Sequence, residues 1–326
     1  MSNRQNQFDG DSIAQRLPAI DLRRLSLYLL IAGFFAFFVA PIWTGLVTSF
    51  KTSEAVTATT PFVPALPGGL AGLLNFVIPF WDPFSTGFTT AKWGRALGHL
   101  SRGFVNSMAM AVPATILDVL LGSMAAYGLT MIDWKRKLPI LVLFLIGIFI
   151  PLQAVLVPLS DFWTNILPLE EVLAPVWALP MLQVEHARLL ELMITHVAYG
   201  IPICMLLFRS YYNTISTELV EAAKMDGASI TKIYTRIVLP LSKPMIGVVL
   251  IYQFTQIWNE FLFSLTLIGS SSSPVATITL ILSGMGADIS GVDFGLRMAG
   301  AFLAAMPTLI IYVLFAEQFA KGLAEG

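Results

Sequence analysis

Residues 220–240 read VEAAKMDGASITKIYTRIVLP, a polar phrase set between two long apolar runs. The pattern predicts two short helices joined at a glycine. Ser216 or Thr217 is placed to cap the first helix, with Glu218 in its first turn. Leu219, Ala222 and Ala223 then share one face at i, i+3 and i+4. Gly227 suits a left-handed C-terminal turn, which only glycine enters without a Cβ penalty. Ser229 is placed to cap a second helix, in which Ile230, Ile233, Tyr234 and Ile237 repeat with the helical period. Pro240 is expected to end it. Two readings of the phrase stay open: an amphipathic loop resting on lipid head groups, or a docking surface for another protein. Glu221, Lys224 and Asp226 mix their signs, whereas a helix lying on lipid is rich in Lys and Arg on its polar face.

The rest of the chain says which solvent surrounds the phrase. Of 326 residues 56% are hydrophobic and 12% charged, and the mean hydropathy is +0.77. A soluble domain carries about 25% charged residues, so the bilayer is the expected solvent. The net charge of −1 argues against a nucleic-acid partner. Cys204 is the single cysteine, which excludes an internal disulfide and leaves no cysteine-based metal site.

A spanning helix needs about 20 apolar residues. Six segments meet that need: residues 25–50, about 104–131, 138–159, about 189–208, 245–268 and about 297–319. Shorter apolar pieces, AGLLNFVIPF, VLAPVWALPML and PVATITLILSGMG, are read as interfacial or re-entrant. The first segment is too long for a cleaved leader and follows a polar tail, residues 1–24, so it is read as a retained anchor. With the N-terminus inside, Lys51, Lys92, Arg95, Arg102, Arg188 and Arg297 fall outside, and the remainder of the 19 Lys and Arg fall inside. That bias predicts both termini on the cytoplasmic side. Residues 209–243 then form a cytoplasmic loop that contains the opening phrase, while 51–103 and 269–296 form outer segments and 25–326 one membrane domain.

Glu221-Ala222-Ala223, three residues, Gly227, nine residues, Ile237, one residue and Leu239-Pro240 resemble the EAA loop of ABC importer permeases, in spacing and in topological position. FIPLQAVLVPL, FTQIWNEFLFSLTL and MPTLIIYVLF are similar to the permeases of carbohydrate importers of the maltose/glucose type. The resemblance runs from about residue 25 to the C-terminus. It implies an all-α membrane protein with six transmembrane helices and the type I ABC importer permease fold. It also implies that Glu221, Ala222, Ala223, Asp226, Gly227, Ile237, Leu239 and Pro240 form a coupling loop seated in a cleft of an ATP-binding subunit. The implied partners are two ATP-binding cassette subunits that use ATP and Mg, a second permease subunit in a heterodimer, and an extracytoplasmic sugar-binding protein. Two features depart from the pattern: the outer segment 51–102 is long, and the chain ends at KGLAEG.

Polar residues inside the spans need reasons, because an ionisable group at mid-membrane costs about 2.5–3.5 kcal/mol on insertion scales. Gln253, Gln256 and Glu260 fall on one helical face at i, i+3 and i+7, with Asn259 beside them and Trp258 and Phe263 near. With Gln153, beside the bend expected at Pro151, they are the candidate translocation path. The alternative is a polar seam between helices. Asp118 is read as a hydrogen bond to a neighbouring helix or as a gate residue, and His196 as hydrogen-bonded structure. Residues 269–297, rich in Ser and Gly, are expected to form a flexible outer loop; the resemblance implies that it reaches toward the binding protein.

No G-x-x-x-x-G-K-[ST] phosphate loop, H-E-x-x-H or G-x-S-x-G occurs, so no catalytic residue, metal site or cofactor is assigned to this chain. The reading is a sugar permease energised by other subunits. The alternatives are an ABC permease for a non-sugar solute and an ATP-independent secondary transporter, the latter weakened by the lack of a visible repeat.

Overall fold

The computed structural model describes residues 22–66, 68, 70, 73, 87–180, 182–288 and 291–316. The chain divides into two units, residues 1–88 and 89–326. The N-terminal tail before Leu22, the AGLLNFVIPF piece apart from Leu73, and the last ten residues lie outside the described part.

In the first unit, α1 (Leu22–Ser49) is a 28-residue helix. Its large side chains point outward, among them Phe34, Phe35, Phe37 and Phe38. Such all-round hydrophobicity suits a helix whose neighbours are lipid. Directly after it Lys51 is buried, donating to Thr59 Oγ1 at 2.9 Å and to the Thr60 carbonyl at 2.7 Å. Burial lowers the pKa of that ammonium. Thr52 caps the short α2 (Ser53–Ala58) through the Ala55 N–H.

The second unit is built around α3 (Ala91–Thr130), 40 residues long and beginning well before the expected start near residue 104. α3 carries a row of small buried residues, Gly103, Ser107, Ala111, Ala114, Gly122 and Ala126, at mostly four-residue intervals. Without a hydrophobic drive between helices in lipid, such rows let backbones approach closely. Around α3 lie α8 (His186–Tyr212), α11 (Lys243–Asn259), α13 (Ile278–Gly284) and α14 (Phe294–Leu314). At Gly122 a Cβ would press on Cys204 of α8, so the lone cysteine sits at a close approach of the two helices.

The third expected segment is not one straight helix. α4 (Lys137–Phe149) and the helical segment that starts with α5 (Leu152–Asp161) meet at 99°. Ile150 is extended, as the residue before a proline prefers, and Pro151 begins α5. A π-helical turn (Phe162–Ile166) and two short helices, α6 (Leu169–Val172) and α7 (Ala174–Trp177), follow.

The expected end at Pro240 is corrected as well. α10 runs from Ile230 to Leu241, with a π-helical turn at Tyr234–Val238, and passes through Pro240. Proline is accepted there because it sits in the first turn of the Leu239–Leu241 segment. The chain turns at Ser242, and α10 meets α11 at 77°.

The fifth segment breaks at Glu260, whose backbone is extended, before α12 (Leu262–Leu267). Gln253, Gln256 and Glu260 therefore do not share one continuous helical face. The described part of residues 269–297 carries regular structure. It holds α13 and two antiparallel paired strands, β1 (Ala287–Asp288) and β2 (Gly291–Val292). Asn106 of α3 donates to the Pro274 and Ala276 carbonyls, and Ser107 accepts the Ile278 N–H.

Among the described residues, α1, α3, α8 and α14 are long and apolar enough to cross a bilayer, and the two bent pairs raise the number to as many as six.

Candidate functional site

α9 (Thr217–Met225) ends in a closed turn at Gly227. The Gly227 N–H bonds the Lys224 carbonyl at 3.0 Å and the Ala228 N–H bonds the Ala223 carbonyl at 3.0 Å. This is the Schellman pair, and Gly227 takes the left-handed conformation it requires, at φ +75°. Ser229 caps α10 through the Lys232 N–H, as the sequence predicts. Neither Ser216 nor Thr217 makes the expected side-chain cap on α9.

The inward face of α9 is also shifted from the expected one. Val220 is buried and Ala223 half-buried, while Leu219 and Ala222 are exposed. Val220, Ile233 and Val238 enter one apolar cluster with Leu129 of α3, Phe208 and Tyr212 of α8, and Met245 and Val249 of α11. Hydroxyls reinforce it. Ser123 Oγ lies 2.6 Å from Tyr212 Oη and 2.8 Å from Tyr234 Oη, and Tyr127 Oη donates to the Ile230 carbonyl at 3.0 Å. The loop is thus welded to the ends of three long helices. Its outward side carries Glu221, Ala222, Lys224 and Asp226 together with bare apolar groups, Met225 at 90% and Ile230 at 53% exposure. Of the other predicted loop residues, Ile237 and Leu239 are half-buried and Pro240 is exposed.

The second site is a cavity of about 300 Å³ between α4, α5, α8, α11 and α12. The Pro151 bend makes one wall, contributing Ile150 and Leu152. Gln253, Gln256 and Glu260 all line it despite the break in the helix, because the extended Glu260 keeps its side chain beside the end of α11. Both Glu260 carboxylate oxygens accept the Phe263 N–H, at 2.9 and 3.0 Å, which anchors the group at the start of α12. Gln153 and Asn259 are exposed and do not line the cavity; the Asn259 amide turns back to the Thr255 carbonyl. Trp258 is also elsewhere, buried and bonded to the Ala304 carbonyl at 2.8 Å.

A match to the family described as "Binding-protein-dependent transport system inner membrane component" covers residues 118–324. The chain belongs to that family. As such an inner membrane component, it is 53% identical over 95% of both chains to a xylose/arabinose import permease protein of Haloferax volcanii. It is 30% identical to an osmoprotective compounds uptake permease protein of Synechocystis, over 76% of this chain and 78% of that one. It is similar in fold to a chain in the crystal structure of a bacterial alginate ABC transporter in complex with a periplasmic protein bound to alginate pentasaccharide. There the TM-score is 0.57 and the identity 16%, over 90% of this chain and 92% of that one. Relatives of this kind are membrane components, and the family and the apolar helices together make the chain a multi-pass membrane protein.

The inner membrane component gathers polar groups that the sequence did not bring together. Gln253 Nε2 donates to Asp118 Oδ2 at 2.6 Å, joining α11 to α3 beside Gly200 of α8. His196, expected to be hydrogen-bonded, holds Nε2 buried without a hydrogen-bond partner, 3.9 Å from Glu260 Oε2. Tyr199 joins them on the cavity wall. The sequence reading takes His196 alone and passes over Tyr199, whose one local signal is its place three residues further along α8.

Proposed function

We propose that the chain is one of two membrane subunits of an ATP-driven, binding-protein-dependent sugar importer. Six spans follow if the α4–α5 and α10–α11 bent pairs each count as one, and the Lys/Arg bias supports both termini on the cytoplasmic side. Two ATP-binding cassette subunits hold ATP and Mg, a different permease chain completes the pore, and an extracytoplasmic sugar-binding protein delivers cargo. The 53% identity to a xylose/arabinose import permease over nearly the whole chain supports sugar as the cargo.

One observation carries the mechanism: the residue 217–241 segment is fixed to α3, α8 and α11 by one shared apolar cluster while its outer side is mixed and bare. A force on Met225 and Glu221 is transmitted to three long helices at once, because a close-packed core does not deform smoothly. Closure of the ATPase subunits supplies that force, and tilting of the helices exchanges access between the two sides.

A cysteine placed at Met225, in a background with Cys204 replaced by Ser, tests this. Cross-linking to an ATPase subunit that changes with bound nucleotide is expected. Failure to capture an ATPase subunit in an actively importing assembly would sink the coupling role. A non-sugar cargo is the second reading, favoured by the osmoprotectant relative. It predicts uptake of osmoprotective compounds such as polyols in preference to free sugars.

A further inference from the structure

We infer that the cavity beside the Pro151 bend is a built binding site for one neutral monosaccharide ring, read by His196, Tyr199 and Glu260. This rests on the sugar-import reading. Buried polar groups are almost always hydrogen-bonded, so each exception asks for an explanation. Two exceptions sit on this wall: His196 Nε2 and Tyr199 Oη are both buried and without a hydrogen-bond partner. His196 is 5% exposed. Its Nε2 is 3.9 Å from Glu260 Oε2, too far for a direct hydrogen bond. Nε2 is closed off in this structure, so a small opening of the wall admits a hydroxyl between the pair, accepting from Nε2–H while donating to the carboxylate. The Tyr199 hydroxyl and the Gln256 amide supply further donors and acceptors at the same wall.

Phe263 completes the arrangement. Its buried ring meets His196 edge-on at 5.5 Å and Tyr199 at 5.2 Å between centroids, which fixes both polar side chains. The volume of about 300 Å³ lies at the small end for ligand pockets and suits one ring rather than a chain of them. A sugar acid would bring a second carboxyl group against Glu260, so the site discriminates against uronates.

The test uses the transporter assembled with its partner subunits in nanodiscs, without binding protein, probed by saturation-transfer NMR with D-xylose, D-glucose, D-glucuronate and maltose. Saturation of xylose and glucose protons is expected, several-fold weaker for glucuronate and maltose. Tyr199→Phe removes a hydroxyl that has no partner, so thermal stability should hold while sugar affinity falls about five-fold. His196→Gln should lower affinity as well. Equal sugar signals in the parent and both variants, or transfer only from lipid and water, overturns the site. Uptake assays on the same proteins in proteoliposomes, with the binding protein and ATP supplied, separate the two ideas. Uptake without binding in this cavity leaves the import reading standing and removes the site; binding without uptake of any sugar removes the import reading.

Discussion

Gln253 of α11 donates to Asp118 of α3 at 2.6 Å, and the α8 residue facing both is Gly200. Asp118 is fully buried and Gln253 nearly so. Three helices therefore meet at a polar contact with no room for a Cβ, since one added at Gly200 would collide with both side chains. Gly200→Ala should overpack the junction and cost about 1–3 kcal/mol. Asp118→Asn keeps an oxygen acceptor and should be nearly neutral. Asp118→Ala strands the Gln253 amide and should cost about 1–3 kcal/mol. Thermal unfolding of the solubilised protein gives the order, and a Gly200→Ala variant as stable as the parent would refute the close approach.

Tyr234 ties the residue 230–241 segment to α3 by one hydroxyl contact, to Ser123, and by its ring, 5.1 Å from that of Tyr127. Tyr234→Phe keeps the ring and should cost about 1 kcal/mol. Because the loss is local, hydrogen exchange should quicken in residues 230–241 more than in α3. Uniform exchange across both segments would show that the hydroxyl contact does not hold the loop.

The long apolar runs, the glycine turn and the Ser229 cap were legible because each follows from local chemistry: hydropathy, a positive φ, a hydroxyl beside a helix start. Met225 and Ile230 stand bare where periodicity alone gave Leu219 and Ala222 as the apolar face, because packing against α3 and α8 chooses which side of α9 turns inward. Pro240 and Glu260 mislead for opposite reasons. A π-helical turn lets the helix begin a new first turn at Leu239, which tolerates the proline. The carboxylate of Glu260 captures the α12 N-terminus and ends α11 inside an apolar run that carries no breaker residue. The contacts of Asp118 with Gln253 and of His196 with Glu260 join residues far apart in the chain, and no local pattern encodes them.

Buried Lys92 and half-buried Asp293 form an ion pair at 2.6 Å that links the first turn of α3 to the start of α14. Asp293 also accepts the Leu296 N–H at 3.0 Å, capping α14, and Arg95 stands 3.7 Å away. Burial alone would raise the pKa of this carboxyl, but the Lys92 bond, the cap and the two cations together hold it below the ordinary aspartate value. The native state therefore binds fewer protons than the unfolded chain in the range beneath that value. The contribution is whole above about pH 4–5 and fades as pH falls through the folded pKa. Asp293→Asn should cost about 1–2 kcal/mol at neutral pH, because the Lys92 ammonium then faces a neutral amide in place of this carboxylate. The gap between variant and parent in thermal shift should begin to narrow below about pH 4 and go on narrowing as pH falls further. A gap that persists unchanged at pH 3 would mean that packing, not charge, holds the contact.

Gly227 sits at φ +75° with no atom within 4 Å of where a Cβ would stand. A substitution there meets no clash, so its cost is confined to the backbone, roughly 1–2 kcal/mol for an L-residue held in the left-handed region. Asparagine enters that region more readily than other side chains, and a β-branched residue resists it most. Gly227→Asn should therefore keep the α9–α10 angle, while Gly227→Val should open the turn and release the Ala228–Ala223 bond. If the turn passes force from the ATPase subunits to α3, α8 and α11, the valine variant will insert and assemble normally. It will still hydrolyse ATP, and yet move at least ten-fold less sugar per ATP than the parent. The asparagine variant should stay within about two-fold of the parent. Uptake and ATP hydrolysis measured in the same proteoliposomes give this ratio directly, and equal ratios in all three proteins would mean that the turn transmits nothing.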